Sequence, residues 1–462
     1  MRKLLFSCLL LLGGCALTPN YDQPKTELPE QWPSMSGATQ PDWQIFADPV
    51  LSGLIAEARS HNADLALALA RVEEARALLG VTDAARFPAI GLGVDRSKTR
   101  QTQRGTMPLP AGTDAVNSNT RVALSASYEL DLWGRLRNAS AAARAESLAS
   151  EAARDSVALT LDSDVARGYF ALLALDQQLA ITQRTIDARL ESYRLQKMRY
   201  DAGISSQYEL LQIEAETATA RARQAEVAEA RARQEHALAV LLGRSPRALM
   251  TTGVARGAPV AQIAVVAPAG LPSELLLRRP DIAAAEQRLI AANARIAAAR
   301  AGYFPSITLT GYAGSESTAL SDLFSGPTRI FQFAANLLQP IFNADRVGFE
   351  VRAARAREAQ ALAQYQLAIA NAFRDVADAL AAQQQARLAL EAEQARVAAL
   401  RRAHELVNLR YRNGTASFLE VLDAERNLLQ AELNQADALQ RQRSAVADLI
   451  KALGGAWPAT TR

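Results

Sequence analysis

A thiol set directly behind small residues at the end of an apolar run is the first group in this chain whose surroundings point to covalent chemistry. Arg2-Lys3 is followed by the apolar run Leu4 to Leu12 and then by Gly13-Gly14-Cys15. A positive start, an apolar middle and small residues before a cut form a secretory leader. The segment Leu12-Gly13-Gly14-Cys15 resembles the bacterial lipobox, so residues 1–14 read as a signal peptide and Cys15 as the lipid-modified first residue of the exported chain, carrying palmitate-class acyl groups. The run itself is too short to span a bilayer as a helix, which takes about 20 residues. The only other cysteine, Cys8, lies inside the leader, so the mature chain is expected to hold no disulfide. An exported chain of this size then relies on its own core or on oligomerisation.

Other reactive residue types are scattered. His61, His236 and His404 sit alone on helical stretches, and Met35, Met107, Met198 and Met250 form no cluster of soft ligands, so no metal site is expected. Gly91-Leu92-Gly93 lacks the third glycine of a dinucleotide fingerprint, and no Gly-rich loop ends in Gly-Lys. The reading is a protein that is not an enzyme and has no cofactor beyond the lipid on Cys15. Lys+Arg 51 against Asp+Glu 48 leaves no basic excess for nucleic acid, and 49% apolar residues suffice for a large core.

The elements that carry these residues occur twice. Asp64 to Pro88 aligns without gaps on Asp281 to Pro305, pairing Arg71 with Arg288, Phe87 with Phe304 and Pro88 with Pro305. Arg199-Tyr200-Asp201-Ala202-Gly203 aligns on Arg410-Tyr411-Arg412-Asn413-Gly414, and Leu242-Gly243 and Leu453-Gly454 close the two halves. No proline falls between Pro110 and Pro246 or between Pro340 and Pro458, windows rich in Ala, Leu, Arg and Gln that predict long helices. Val165, Tyr169, Leu172, Leu179, Ile186, Leu190 and Tyr193 follow a 4,3 spacing broken by Asp176 and Gln183; Val397, Leu400, Val407 and Tyr411 follow it with His404 as the miss. That period is coiled-coil packing, and helices over 134–201 and 344–412 would each run about 100 Å. Each return helix is shorter, and a helix such as Asp64 to Ala85 is expected to stack end to end on it.

Between the short and long helices the period changes to 2. Val122, Leu124, Ala126, Tyr128, Leu130 and Leu132 alternate with Ala123, Ser125, Ser127, Glu129 and Asp131, and Ile90, Leu92, Val94, Ile307, Leu309, Phe331, Phe333, Ala335 and Leu337 extend the pattern. This predicts one hairpin per half, with Thr99 to Asn119 and Ser315 to Thr328 as polar loops. Strands of about ten residues with one apolar face match membrane-spanning β-strands. Four strands cannot close on themselves, since small barrels need about eight, and open edges in lipid leave backbone groups unpaired. Spanning strands therefore demand oligomerisation; two copies or three would serve, and strand arithmetic leaves that choice open.

Several segments resemble the outer-membrane efflux proteins, the TolC-like channels, and within them the NodT-type lipoprotein subgroup: Leu277-Arg278-Arg279-Pro280-Asp281-Ile282 with Glu286, Tyr128-Glu129-Leu130-Asp131-Leu132-Trp133-Gly134-Arg135-Leu136-Arg137, Phe304-Pro305, Pro340-Ile341-Phe342, and the paired Arg-Tyr-x-x-Gly segments. The resemblance covers nearly the whole chain. It implies a mainly α fold with a transmembrane pair of β-hairpins and two internal structural repeats. Three copies share a 12-stranded β-barrel continued by a long periplasmic α-helical barrel. The implied place is the outer membrane, lipid-anchored and reaching into the periplasm. The implied function is the passive duct of a tripartite efflux system for drug-like or other small molecules, a multidrug-resistance role. Its implied partners are outer-membrane lipid, a periplasmic adaptor (membrane fusion) protein and an inner-membrane transporter of the resistance-nodulation-division (RND) type.

On that mapping 15–49 is a lipid-anchored extended segment, 50–245 the first repeat, 246–280 an equatorial linker, 281–454 the second repeat and 455–462 a tail. The first repeat holds short helices, a hairpin at about 88–132, a long helix at 134–201 and a return helix at 206–242. The second holds a helix at 281–302, a hairpin at about 304–341, a long helix at 344–412 and a return helix at 417–453. The family's periplasmic gate pattern falls on Leu419, Asp423 and Arg426, which share a helical face by their 4 and 3 spacing. Three copies of Asp423 around an axis repel unless Arg426 or a neighbouring chain neutralises them, which implies a charge lock that an adaptor opens by drawing the tips apart. Gln212 and Ala215 take the equivalent places in the first repeat, so the charge is expected from the second alone. Tyr200, Gly203, Tyr411 and Gly414 mark the helix-turn-helix tips, expected to dock the adaptor, although capping the turns uses the same residues. Two other readings stay open: a duct for type I secretion or heavy-metal export, and a lipid-anchored periplasmic scaffold without a pore.

Overall fold

Proline and capping side chains decide where the elements begin and end. The computed structural model describes residues 24, 43–102, 104, 109–110, 112–257 and 278–455. Cys15 with its leader, residues 258–277 of the expected linker and the last residues of the tail lie outside the described residues. The elements run α1 (Pro49–His61), α2 (Ala63–Ala84), β1 (Ala89–Arg100), β2 (Val116–Leu130), α3 (Arg135–Asp201), α4 (Gln207–Leu241), α5 (Pro246–Thr251), α6 (Pro280–Arg300), β3 (Ser306–Ser317), β4 (Arg329–Leu338), α7 (Arg346–Arg412) and α8 (Phe418–Ala452). Both long helices have 67 residues and both return helices 35. Among the described residues, no helix is long and apolar enough to cross a membrane.

The described residues group into two units. One takes in 71–150 and 284–365, the other 43–70, 151–257, 278–283 and 366–455. The first holds a four-stranded antiparallel sheet in the order β1-β2-β3-β4. Its strands reach further than the apolar alternation: β1 continues through Arg100, β2 starts at Val116, and β3 ends at Ser317. The residues at 99–100, 116–119 and 315–317, read from sequence as loop, therefore pair in the ladder. At these ends the ladder is made by Thr, Ser and Asn, so no apolar contrast marks the strand.

The turn from β2 into α3 explains one motif residue by residue. Asp131 caps α3, accepting from the Leu136 and Arg137 amides at 3.0 and 2.8 Å. Glu129 takes the Arg135 guanidinium in a fork at 2.9 and 2.6 Å. Gly134 makes the reversal at φ +77°, and the Trp133 indole donates to the Pro305 carbonyl at 2.8 Å while stacking on Phe304. Small residues let α3 and α6 approach closely in this unit, where Ala142, Ala145, Ala291 and Ala294 form a common core.

In the second unit Phe46, Leu51, Leu54, Val165, Tyr169, Phe170, Leu172, Leu238, Leu242, Val446 and Ile450 share one core. The end of each return helix meets the start of a short helix. Asn62 caps α2 by accepting from the Leu65 amide, and its Nδ2 donates to the Leu241 carbonyl at 2.9 Å, the last of α4. At the aligned position Arg279 donates to the Ala452 carbonyl at 3.1 Å, the last of α8. Two different side chains thus satisfy orphan carbonyls at corresponding junctions. The stretch from Pro246, read from sequence as the start of a linker, contains α5, because the Ser245 hydroxyl accepts from the Ala248 amide and Pro246 fills the first helical position.

Candidate membrane face and channel gate

Strand register sorts the sheet into two chemically opposite faces. Ile90, Leu92 and Val94 pair with Ala126, Leu124 and Val122. Those lead to Gly311, Ala313 and Ser315, and onward to Phe333, Phe331 and Arg329. With Tyr128, Leu130, Ile307, Leu309, Ala335 and Leu337 this makes one face that is apolar up to the row of Ser315 and Arg329. It is uncovered: Leu92 is 69% exposed, Phe331 76% and Phe333 82%. The Phe333 ring lies over Gly311 on the neighbouring strand, 3.1 Å from where a side chain there would begin. From Val122 to Leu130 the strand advances about 26 Å at roughly 3.3 Å per residue, close to the apolar band of outer-membrane barrels. The opposite face holds Ser125, Ser127, Thr308, Thr310, Gln332 and Asn336, with Arg121 set between Glu316 at 3.9 Å and the Tyr312 ring at 3.8 Å. A patch this large facing water would drive aggregation; facing lipid, it is a solvent match.

At the helix-turn-helix tips the glycines carry the turns. The Ile204 amide bonds to the Arg199 carbonyl and the Gly203 amide to the Tyr200 carbonyl, with Gly203 at φ +71°. Thr415, Arg410, Gly414 and Tyr411 repeat the arrangement with Gly414 at φ +74°. Ser206 and Ser417 then open the return helices with reciprocal capping boxes to Glu209 and Glu420. The two tyrosines differ. The Tyr411 hydroxyl accepts from Gln196 at 2.5 Å and Arg199 at 2.7 Å, and its ring packs on Phe418, joining the α7 tip to the α3 tip. Tyr200 is 38% exposed and stands with exposed Met198, Ile204 and Tyr208.

The expected gate residues lie on α8, where Arg426 donates to Asp423 at 2.8 Å and Asn427 to the other Asp423 oxygen at 3.1 Å, with Leu419 exposed beside them. A carboxylate from the other half joins the group: Glu216 on α4 sits 3.7 Å from Arg426. Glu216 is itself held by buried Arg189, which reaches its carboxylate at 3.1 Å and its carbonyl at 2.5 Å. Burial pulls the Arg189 guanidinium below its usual range while Glu216 and Glu425 oppose the fall. His404 on α7 lies against Asn408 at 2.8 Å and 3.6 Å from Glu425. Sequence reading passed over Glu216 and Arg189, since their partners are far away in the chain.

A second polar cluster ties α3 and α4 to the start of the linker. Asp176, an interruption of the α3 spacing, takes Arg231 at 2.6 Å and Arg256 at 3.0 Å. Arg256 also holds Glu235 at 2.5 Å, and that hydrogen bond, with the Val254 amide, brings the Glu235 carboxyl down to about 2. Tyr169 donates to Asp48 at 2.8 Å and accepts from the Gly257 amide; burial and Asp48 push its hydroxyl up to about 12. Among the described residues no group of His, Cys, Asp and Glu is arranged to hold a metal ion.

Comparison with known proteins agrees with this geometry. The profile described as outer membrane efflux protein matches residues 54–244 and 271–455. The solvent efflux pump outer membrane protein SrpC of Pseudomonas putida is 36% identical over 469 residues, covering 99% of this chain and 98% of that one. The probable outer membrane lipoprotein SilC of Salmonella typhimurium is 34% identical over 467 residues, covering 99% of each. Among solved structures, the Campylobacter jejuni CmeC outer membrane channel superposes with a TM-score of 0.91 at 25% identity, over 97% of this chain and 96% of that one.

Proposed function

From the premise that this chain belongs to the outer membrane efflux protein family, we propose that three copies join their sheets edge to edge into a 12-stranded barrel and their long helices into a periplasmic tube. The chain is an outer-membrane efflux channel component and not an enzyme. It works with an adaptor and an inner-membrane transporter, the transporter supplying the energy while the channel supplies the path.

The observation that carries the barrel is the sheet: an uncovered apolar face together with two unpaired edges, β1 and β4, that run in opposite directions. Edges of opposite direction let β4 of one copy add to β1 of the next in the antiparallel sense, and repetition around an axis leaves no open edge. The twofold order of elements supports a tube built from two similar halves per protomer. Cys15 is the lipid anchor on this reading; the RND type of the transporter follows from the subgroup the sequence resembles. The tips at Gly203 and Gly414 dock the adaptor, supported by exposed Met198, Ile204 and Tyr208. The gate is the group of Leu419, Asp423 and Arg426, extended to Glu216.

Native mass spectrometry and planar-bilayer recording of the full chain test the proposal together. The expected results are a trimer and discrete conductance steps. A water-soluble monomer without conductance favours the scaffold reading instead. On this reading the exported compound is a small solute selected by the transporter; the relative SrpC is named for a pump that exports solvent.

A further inference from the structure

The lipid-facing side of the sheet does not stay apolar along its length. β1 carries Ile90, Leu92 and Val94 on alternate positions and then, with the same parity, Arg96, Lys98 and Arg100. β4 opens with Arg329, two residues before Phe331 and on the same face. Register fixes their neighbours on that face: Thr120 opposite Arg96, Ser118 opposite Lys98, Val116 opposite Arg100 and Ser315 opposite Arg329. No carboxylate shares these rows on this side. Asp95 and Glu316 have the opposite parity, and Glu316 is engaged by Asn119 at 3.0 Å and by Arg121. The four cations are exposed and form no ion pair with a described residue. They mark the loop end of the strands, the end away from α2 and α3.

We infer that Arg96, Lys98, Arg100 and Arg329 form a basic fringe that binds the phosphate groups of the phosphorylated glycolipid of the outer leaflet. The inference rests on the membrane reading above, in which the apolar face lies in lipid and the helices in the periplasm. On that reading the fringe lies where hydrocarbon gives way to headgroups. Its sign matches an anionic surface, guanidinium forks suit phosphate oxygens, and the serine and threonine hydroxyls beside them add donors. Head-to-tail closure brings the β4 edge with Arg329 to the β1 edge of the next copy, so each seam of the barrel gathers cations from two copies. A different use of edge-strand cations is to deter unwanted strand pairing before assembly. That role requires charge but no particular lipid.

The test uses the full chain reconstituted with phosphatidylethanolamine plus one of three additions: bisphosphorylated lipid A, the same lipid A with its phosphates removed, or phosphatidylglycerol. Lipid retained after detergent extraction is quantified. The unaltered chain is expected to retain bisphosphorylated lipid A roughly tenfold better than either other lipid. R96Q/K98Q/R100Q is expected to lose that preference, and R96K/R100K to keep most of it. Equal retention of phosphorylated and dephosphorylated lipid A by the unaltered chain overturns the inference, even where the triple variant fails to assemble. Equal retention of phosphatidylglycerol overturns the assignment to glycolipid. A triple variant that keeps the preference overturns the assignment to these residues. Conductance of the unaltered chain separates the two levels: insertion and conduction without lipid discrimination sinks only this inference, whereas failure to insert sinks the membrane reading beneath it.

Discussion

At the residue scale, one amino-acid type does two jobs that unfolding separates. Gly414 turns the α7 tip in open space, with nothing near the position of a first side-chain carbon. Gly414→Ala therefore costs only left-handed strain, about 1–2 kcal/mol. Gly243 has the same positive φ, but a side-chain carbon there would lie 2.0 Å from the His61 carbonyl oxygen, at the junction where α4 meets α2. Gly243→Ala must push backbone apart, and its unfolding temperature is expected to fall well below that of Gly414→Ala. Equal losses, measured by thermal melts of the purified channel, would show that the junction yields freely. Asp423 and Arg426 make the opposite case. Both are more than half exposed, so solvent screening leaves the pair little weight in stability. Asp423→Ala and Arg426→Ala are expected to raise single-channel conductance while leaving the melting temperature nearly unchanged. Unaltered conductance in both variants would remove the charge lock.

At the element scale, what could be read from sequence depended on whether chemistry alternates with geometry. The core of β2 is legible because apolar and polar residues alternate at Val122–Leu130. Its first residues, Val116 to Thr120, are not, since Asn and Ser in a paired strand look like Asn and Ser in a loop. The α3 spacing shows at buried Val165, Tyr169, Leu172 and Ile186. Its interruptions hid structure of another kind, for Asp176 binds Arg231 and Arg256 and Gln183 accepts from Gln224. Ion pairs between helices have no period to reveal them, so Glu216 beside Arg426 could not be found by pattern. The same cluster sets a pH dependence. Arg256 holds Glu235 at about 2 against an ordinary 4.5. A depressed carboxyl stabilises the folded state fully above its unfolded value, and that stabilisation is lost as pH falls through the folded one. Glu235→Gln is thus expected to melt earlier than the unaltered chain at neutral pH, with the difference shrinking below about 4.5 and vanishing near 2. A difference constant across that range would mean that the Arg256 contact does not hold in solution.

At the scale of the whole molecule, the proposed barrel gives the two faces of the sheet two different solvents, and a single charge can tell them apart. Phe333 lies in the row of Gly311, Ala126 and Ile90, midway along the apolar stretch that ends at Leu130 and Val122. In a closed barrel that row lies near the bilayer midplane, where an arginine costs about 2–4 kcal/mol per copy. Asn336 is three residues further along the same strand but has the opposite parity, paired with Thr308 on the polar face. An arginine there points into the water of the duct and is expected to cost little. Phe333→Arg should therefore cut the yield of heat-resistant oligomer and lower the urea midpoint in bilayers, while Asn336→Arg assembles normally. The contrast does not depend on either residue's contacts within one chain, because Phe333 is 82% exposed in the isolated protomer. Two variants of equal stability would mean that both faces meet water, and edge-to-edge closure would then have no bilayer to seal against.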